Sequence, residues 1–239
     1  MFKKNQKKVD IHWVFWEIGD TYGNNKHIEN KRKEDMRTKL LLAAVVLAAG
    51  VATSMAQTYS QNVVGYVNQT CPVGFSLVAT PLKATNNLIG TVLANAPVGT
   101  TVYKFVNGAY EAGNSLLPFG WGNAAQTLPV GQGYFIKSAA QWTNTFVGEV
   151  VMNNTNALIN GFNLMGSAWP AQGTIGTALK LVPTVGDTAY TFNNGGGYNA
   201  GNSYLVFGWG SGEPVLNVAQ GIMYKSVGAK NWTQNFTIP

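Results

Sequence analysis

The C-terminal part of this chain, residues 57–239, contains no histidine and no arginine, because both residue types occur only upstream of it. Without histidine, this part cannot form a Ser-His-Asp triad, a Cys-His nucleophile or a zinc site built on imidazole. Its single cysteine, Cys71, excludes an intrachain disulfide and a multi-cysteine metal site, and we interpret it as a small buried apolar residue. We therefore expect no catalytic triad, no metal and no cofactor.

Charged residues are also scarce: residues 57–239 hold six lysines against four acids, a net charge of +2. Nucleic-acid binding needs clustered Lys and Arg, so we expect no nucleic-acid partner. A glycosidase needs two carboxylates flanking the scissile bond. We interpret the four acids as solvated surface residues and predict no enzymatic activity, with a carboxylate-dependent glycan-active enzyme as the alternative. The four acids are Glu111, Glu149, Asp187 and Glu213.

The N-terminal part is typical of an export signal. An unbroken run of apolar and small residues spans residues 40–52, with Arg37 before it and a Ser-Met-Ala sequence at 54–56 after it. This pattern predicts a signal peptide over 36–56, cleaved after Ala56, and hence a secreted protein, either extracellular or periplasmic. The run is shorter than the ~20 residues that span a bilayer, so we favour cleavage over a membrane anchor.

Residues 1–35 are charged and show no periodicity, and Met36 opens a conventional signal sequence. We interpret residues 1–35 as an extension upstream of the true start at Met36; the alternative is a long charged region of the signal itself.

The remaining chain repeats itself. Gly-Asn-Ser followed by Phe-Gly-Trp-Gly occurs at residues 113–122 and again at 201–210. Flanking sequences also match in order, including Gln-Gly at 132–133 and 220–221. A Val-Gly-x-Val sequence at 147–150 resembles one at 64–67, which suggests one boundary strand shared by both units. We therefore predict repeat unit 1 over 57–150 and repeat unit 2 over 151–239.

Composition and turn spacing predict an all-β fold. β-branched and aromatic residues are frequent, and turn signals such as Asn107-Gly108 and Asn160-Gly161 recur at intervals expected of short strands. In 101–106 the aromatic residues alternate with others, as in a strand with one aromatic face. We predict two tandem related β-sandwich or barrel-like lobes, each with at most one short helix, at 87–95 and 174–181.

The first repeat reads Gly-Phe-Ser-Leu-Val-Ala-Thr-Pro-Leu at 74–82 and Leu-Pro-Val-Gly-Gln-Gly-Tyr-Phe-Ile at 128–136. These sequences resemble a duplicated β module of bacterial secreted proteins, with the pattern G-[WF]-[NS]-L followed by L-x-P-G-x-G-Y-[WF]. The opening at 61–68 resembles that of uncharacterised exported proteins of Verrucomicrobia-type bacteria. The resemblance implies an extracellular β module and assigns no activity.

The repeated Phe-Gly-Trp-Gly motif is the candidate ligand site. Glycine beside tryptophan leaves an indole face open, and an exposed indole with a nearby amide is a usual way to hold a sugar ring. This predicts two equivalent sites, Trp121 with Asn114 and Trp209 with Asn202; the alternative is that both tryptophans plug the end of a lobe.

The sequence thus favours a secreted, non-catalytic protein of the cell envelope or matrix, with glycans or other envelope proteins as partners. A second alternative is a structural subunit that assembles through the strand edges at 59–68 and 232–238. The oligomeric state is left open.

Overall fold

The structure is a computed structural model that describes residues 63–236. The proposed extension, the signal peptide and its cleavage point after Ala56 lie outside these residues. The described part contains one helical turn, α1 (Ile89–Val92), and otherwise strands. The strands are β1 (Val64–Cys71), β2 (Gly74–Ala79), β3 (Thr101–Val106), β4 (Ala109–Tyr110), β5 (Asn114–Leu117), β6 (Gly120–Trp121), β7 (Gly133–Ser138), β8 (Trp142–Glu149), β9 (Asn153–Leu158), β10 (Gly161–Gly166), β11 (Gly173–Thr174), β12 (Thr188–Tyr190), β13 (Asn202–Leu205), β14 (Gly208–Trp209), β15 (Val215–Leu216), β16 (Gly221–Ser226) and β17 (Lys230–Asn235). The predicted all-β class is confirmed.

Two sheets have the same strand arrangement. The first runs β2-β7-β3-β5-β6, with β4 paired to β3, and the second runs β10-β16-β12-β13-β14. Each is accompanied by a separate two-stranded ribbon, β1 with β8 in the first case and β9 with β17 in the second. We call β1–β8 lobe 1 and β9–β17 lobe 2. All strand pairs are antiparallel, which permits the short hairpin connections seen in the sequence.

Each ribbon covers its sheet and closes a core. In lobe 1, Phe146 of the ribbon packs in one cluster with Val102 and Ile136 of the sheet and with Ile89 of α1. In lobe 2, Trp232 of the ribbon packs with the corresponding sheet residues and with the turn after β11. The stacked layers explain the alternation of buried and exposed residues in β1, β9 and β17.

Two local expectations need correction. The shared boundary strand is wrong, because β8 pairs with β1 and the separate strand β9 pairs with β17. The second predicted helix, 174–181, is a series of turns: Leu179 N–H donates to Thr174 O (2.9 Å) and Leu181 N–H to Ile175 O (2.8 Å). Prolines at 170 and 183 flank that segment. At its start, Gly176 N–H donates to the Glu213 carboxylate.

The two sheets meet through backbone contacts at equivalent positions. Ala79 N–H of lobe 1 donates to Ala219 O of lobe 2 (2.9 Å). At the equivalent position, Gly166 N–H of lobe 2 donates to Gly131 O of lobe 1 (3.0 Å). Such close approach leaves room only for glycine or alanine at the facing residues. A Cβ on Gly133 would lie 2.7 Å from Met165 N and 2.9 Å from Leu164 C, both of them backbone atoms of lobe 2.

We expect Gly133→Ala to lower the free energy of unfolding by about 1–3 kcal/mol, because the added methyl overpacks against backbone that cannot rotate away. The measurement is urea unfolding. Gly228→Ala is the matched control, since nothing lies within 4 Å of its added Cβ. Equal stability of the two variants would contradict the close contact between the lobes.

Candidate functional site

The two tryptophans predicted to bind a ligand lie at equivalent places but are half-buried. Trp121 in β6 packs against the lobe 1 core and faces Gly90 of α1. Trp209 in β14 packs against the lobe 2 core, and its ring meets Tyr204 edge-on at 5.3 Å between centroids. Much of each indole therefore contacts protein, as in the alternative interpretation of a plug at the end of a lobe.

The side-chain amides of the two predicted asparagines form hydrogen bonds within the protein. Asn114 donates to Asn123 O and Gln126 Oε1, both at 2.9 Å, while its Oδ1 accepts from Asn123 N–H at 2.9 Å. Asn202 donates to Gly212 O (2.6 Å) and accepts from Ser211 N–H (3.1 Å). These bonds brace the turn that follows each β-hairpin. The ligand-binding role of the four residues stays a prediction, and the geometry offers no free amide beside an open indole.

The exposed aromatic of the motif is its phenylalanine. Phe119 is 86% exposed and Phe207 is 82% exposed, each at the tip of the hairpin that its glycine turns. Gly120 and Gly208 both have positive φ (123° and 112°), which glycine alone adopts freely. The sequence contains a signal for this exposure, because a Phe-Gly pair between two short strands predicts that the phenylalanine lies at the hairpin tip. From the sequence alone, the exposed aromatic is instead assigned to the tryptophan.

A larger aromatic surface lies where the two lobes meet, and we call it the aromatic seam. At its centre Phe135 of lobe 1 meets Phe192 of lobe 2 edge-on, with centroids 4.9 Å apart. Leu77, Leu164 and Met223 lie in the same buried cluster. The seam comprises Phe75, Tyr103, Phe105, Tyr110 and Phe135 of lobe 1 with Phe162, Tyr190, Phe192 and Tyr198 of lobe 2.

Four rings of the seam remain open to solvent: Phe75 (40% exposed), Tyr110 (48%), Phe162 (43%) and Tyr198 (43%). Two open clefts run between them. The narrow cleft, of about 440 Å³, lies beside Phe75 and Tyr198, and the wide cleft, of about 740 Å³, lies between Tyr110 and Phe162. Exposed apolar surface this continuous usually marks a binding site.

The seam carries no negative charge. No acidic residue lines either cleft in the described part of the chain. Burial raises the pKa of Tyr198, and the neighbouring Tyr110 hydroxyl raises it further, so the Tyr198 hydroxyl stays a neutral donor and acceptor at physiological pH. Lys137 lies 5.7 Å above the Phe75 ring and Lys225 lies 5.8 Å above the Phe162 ring, one cation at the equivalent place in each lobe.

Two of the four acids have structural contacts. Asp187 is fully buried and pairs with Lys230, and it accepts hydrogen bonds from Tyr224 Oη (2.6 Å), Thr184 N–H (2.7 Å) and Val227 N–H (2.8 Å). Burial alone raises the pKa of Asp187, but these donors together hold it below its usual value. The prediction that this acid is a solvated surface residue is wrong.

Glu213 also binds within lobe 2. Its Oε1 accepts from Gly176 N–H (2.5 Å) and Thr177 N–H (2.7 Å), and its Oε2 accepts from the Thr177 hydroxyl (2.7 Å). Burial raises the pKa of Glu213, and the bonds from Thr177 and Gly176 more than offset that effect and lower it. Glu149 ends the β1–β8 ribbon and Glu111 follows β4. Asp187 and Glu213 therefore both serve contacts within lobe 2.

The remaining candidate for chemistry is Cys71, which is buried. Burial raises the pKa of its thiol to about 11, although the neighbouring Ser76 hydroxyl lowers it in part. A thiol with that pKa is protonated at neutral pH and a poor nucleophile.

Within residues 63–236 there is no cluster of three or more His, Cys, Asp or Glu side chains placed to hold a metal ion. The same residues include no helix long and apolar enough to cross a bilayer. A scan against protein-family models and searches of curated proteins and solved structures each returned no match to this chain.

Proposed function

We propose that this chain is a secreted, non-catalytic β-repeat module of the cell envelope or extracellular matrix, and that it binds uncharged glycan chains across the aromatic seam. The observation that carries the proposal is the set of four half-exposed rings, Phe75, Tyr110, Phe162 and Tyr198, around two adjoining clefts. Sugar rings stack their C–H faces on such aromatic faces, and tyrosine hydroxyls supply the polar contacts.

Charge disfavours a cationic ligand, since the charged side chains that lie over seam rings, Lys137 and Lys225, are both cations. The clefts lack acids, and burial keeps the Tyr198 hydroxyl in its protonated form. A metal-dependent lectin site would need oxygen ligands that are carboxylates for the most part, and no acid lines the seam. Asn199 and Gly201 border the wide cleft. Asn199 Nδ2 donates to Thr191 Oγ1 (2.8 Å) and Asn193 Oδ1 (3.3 Å), so its Oδ1 is the amide atom that keeps a lone pair for a ligand.

The experiment is a glycan-array screen of the purified protein, followed by calorimetry on the best neutral oligosaccharide. We expect Tyr198→Ala and Tyr110→Ala each to weaken binding about tenfold, since an aromatic contact contributes about 1 kcal/mol beyond area burial. The rings are half-exposed, so both variants should remain folded. Tyr198→Phe keeps the ring and separates stacking from hydrogen bonding.

Val182→Ala is the matched control, because Val182 is an apolar residue that is 74% exposed and lines neither cleft. Unchanged binding in both tyrosine-to-alanine variants would overturn the seam as the site. A wild-type protein that binds no neutral glycan on the array would overturn the function itself.

A structural or adhesive role is the second candidate. Two observations favour it: the apolar hairpin tips at Phe119 and Phe207, and the ribbon strands β1 and β17, each of which pairs on one side only in the described residues. Unpaired strand edges can template assembly. The glycan-active enzyme, in contrast, needs a facing pair of free carboxylates, and Asp187 and Glu213 are engaged in lobe 2.

A further inference from the structure

The two lobes differ in the length of one loop where they meet, and a cavity lies beside the shorter loop. In lobe 2 five residues, 193–197, separate Phe192 from Tyr198, whereas in lobe 1 only four, 106–109, separate Phe105 from Tyr110. The shorter connection is a two-residue turn with Asn107 and Gly108 both at positive φ (52° and 82°).

The longer loop of lobe 2 seals the edge strand of lobe 1. Gly195 N–H donates to Phe75 O (2.7 Å), and Asn194 Oδ1 accepts from Leu77 N–H (2.9 Å). Gly195 also lies against Pro72, where an added Cβ would be 3.3 Å from the proline Cγ. The loop therefore occupies the space beside β2 and pairs backbone groups that β7 does not reach.

The shorter turn of lobe 1 does not seal β10 in the same way. Phe162 and Leu164 are the counterparts of Phe75 and Leu77, and among residues 63–236 no hydrogen bond joins either of them to the turn at 107–108. Instead, a cavity of about 320 Å³ lies there, with Phe105 and Phe162 among its walls. This volume falls at the lower end of the range typical of small-ligand sites.

The cavity wall contains polar groups that lack a protein partner. Gln132 Oε1 and Asn156 Nδ2 are both shielded from solvent and make no hydrogen bond. The counterpart of Gln132 in the other repeat is Gln220, whose Oε1 accepts from Asn217 N–H (2.9 Å). A buried amide atom without a partner costs stability, and the terminal torsions of both side chains are soft enough to turn them toward a ligand.

No charged side chain lines the cavity. Aromatic walls, with the Gln132 and Asn156 amides free to turn into the space, suit a compact, uncharged ring that carries hydroxyl groups. The cavity shares Phe105, Gly108 and Phe162 with the wide cleft of the seam, so the two spaces adjoin.

We propose that this cavity binds the terminal sugar unit of a neutral glycan whose chain lies across the aromatic seam. The inference rests on the proposed function and deepens it, because it makes the protein a reader of chain ends. The loop at 106–109 is one residue shorter than its counterpart at 193–197, and this difference distinguishes the two ends of the seam. The duplicated sequence therefore forms one terminal subsite.

The test uses ¹⁵N-labelled full-length protein with four neutral monosaccharides: glucose, galactose, mannose and N-acetylglucosamine. We expect at least one of them, at millimolar concentration, to shift the backbone or side-chain amide resonances of Gln132, Asn156 and Gly108. A cavity that responds to none of the four would overturn the proposal.

Two variants fill the cavity by different routes. One replaces residues 106–109 by the five-residue loop Asn-Asn-Gly-Gly-Gly of 193–197, and the other is Ala157→Phe at an exposed position of the cavity wall. We expect each to weaken monosaccharide binding about tenfold or more, as two hydrogen bonds and the ring contact are lost. Gly228 does not line the cavity, and nothing lies within 4 Å of a Cβ added there, so Gly228→Ala should bind as the wild type does.

The failure of this inference is distinguishable from the failure of the proposed function. If both filled variants keep wild-type affinity for the monosaccharide, the cavity is not the subsite, whatever the seam does. If the tyrosine variants of the seam bind a neutral hexasaccharide normally, the proposed function fails, whatever the cavity binds.

Discussion

Replacing Asp187 by alanine is expected to lower the free energy of unfolding by about 3–5 kcal/mol, because it leaves the Lys230 ammonium without its partner in a largely buried place. The Tyr224 hydroxyl and the N–H groups of Thr184 and Val227 lose their acceptor in the same step. Chemical denaturation at pH 7 is the measurement. Thr100 is the counterpart in lobe 1, also buried, and its hydroxyl makes no hydrogen bond in the structure.

Thr100→Val is therefore the matched control, and we expect it to change stability by less than about 1 kcal/mol, since it removes an unpaired hydroxyl at nearly constant volume. A loss at Asp187 no larger than that at Thr100 would show that the carboxylate network does not hold lobe 2 together.

The same carboxyl predicts how stability depends on acid. Its pKa is lower in the folded chain than in the unfolded chain, where an aspartate titrates near about 3.9. The stability that it contributes is therefore fully present above that unfolded value and is lost as the pH falls through the depressed folded value. We expect the urea midpoint of the wild type to fall more steeply than that of Asp187→Asn as the pH is lowered below about 4. Parallel curves for the two proteins would contradict a depressed pKa.

The second large effect is expected at Trp232, whose replacement by alanine should cost about 3–5 kcal/mol. This side chain is fully buried in the lobe 2 core, and its indole N–H donates to Leu179 O at 2.7 Å. The carbonyl also accepts from Gln234 Nε2 at 3.1 Å, so the indole links the ribbon to the turn after β11. Thermal and urea unfolding measure the loss.

Trp142 is the control for this variant because it is the tryptophan of the β1–β8 ribbon. It pairs with Cys71 at the position that Lys230, paired with Leu158, holds in lobe 2, whereas the counterpart of Trp232 is Asn144. Trp142 is only half-buried, and its indole N–H donates to the hydroxyl of Ser138 at 2.8 Å. We expect Trp142→Ala to cost clearly less than Trp232→Ala. If the two losses are equal, burial is not what decides the cost of removing a ribbon tryptophan.

Much of the fold follows from local pattern. The turn at Asn107-Gly108 was predictable because only those residues adopt two successive positive φ values with ease, and it does connect β3 to β4. The alternation of Tyr103 and Phe105 in β3 likewise predicts one aromatic face. The shared boundary strand is wrong because the segment at 147–150 ends β8, which pairs with β1, whereas lobe 2 begins with its own strand β9, which pairs with β17.

The candidate site followed from the sequence only in part. Phe-Gly-Trp-Gly was identified, but which of its aromatics is exposed depends on what packs beneath the hairpin. Trp121 packs on the lobe 1 core and Phe119 extends beyond it. The Phe-Gly pair indicates a hairpin tip, but the burial of the tryptophan depends on the core beneath it. The use of Asn114 as a brace was equally hidden, since its partners lie nine and twelve residues away.

The sequence by itself determined the all-β class, the internal repeat and the scarcity of charge, because each is a property of composition or of local alternation. Only the tertiary structure decided that Phe135 meets Phe192, that the half-exposed rings of both lobes form one surface, and that a loop shorter by one residue leaves a cavity. Burial and contact between residues far apart in the chain depend on how whole sheets pack, and that packing is a sum over many weak contacts that no single motif records.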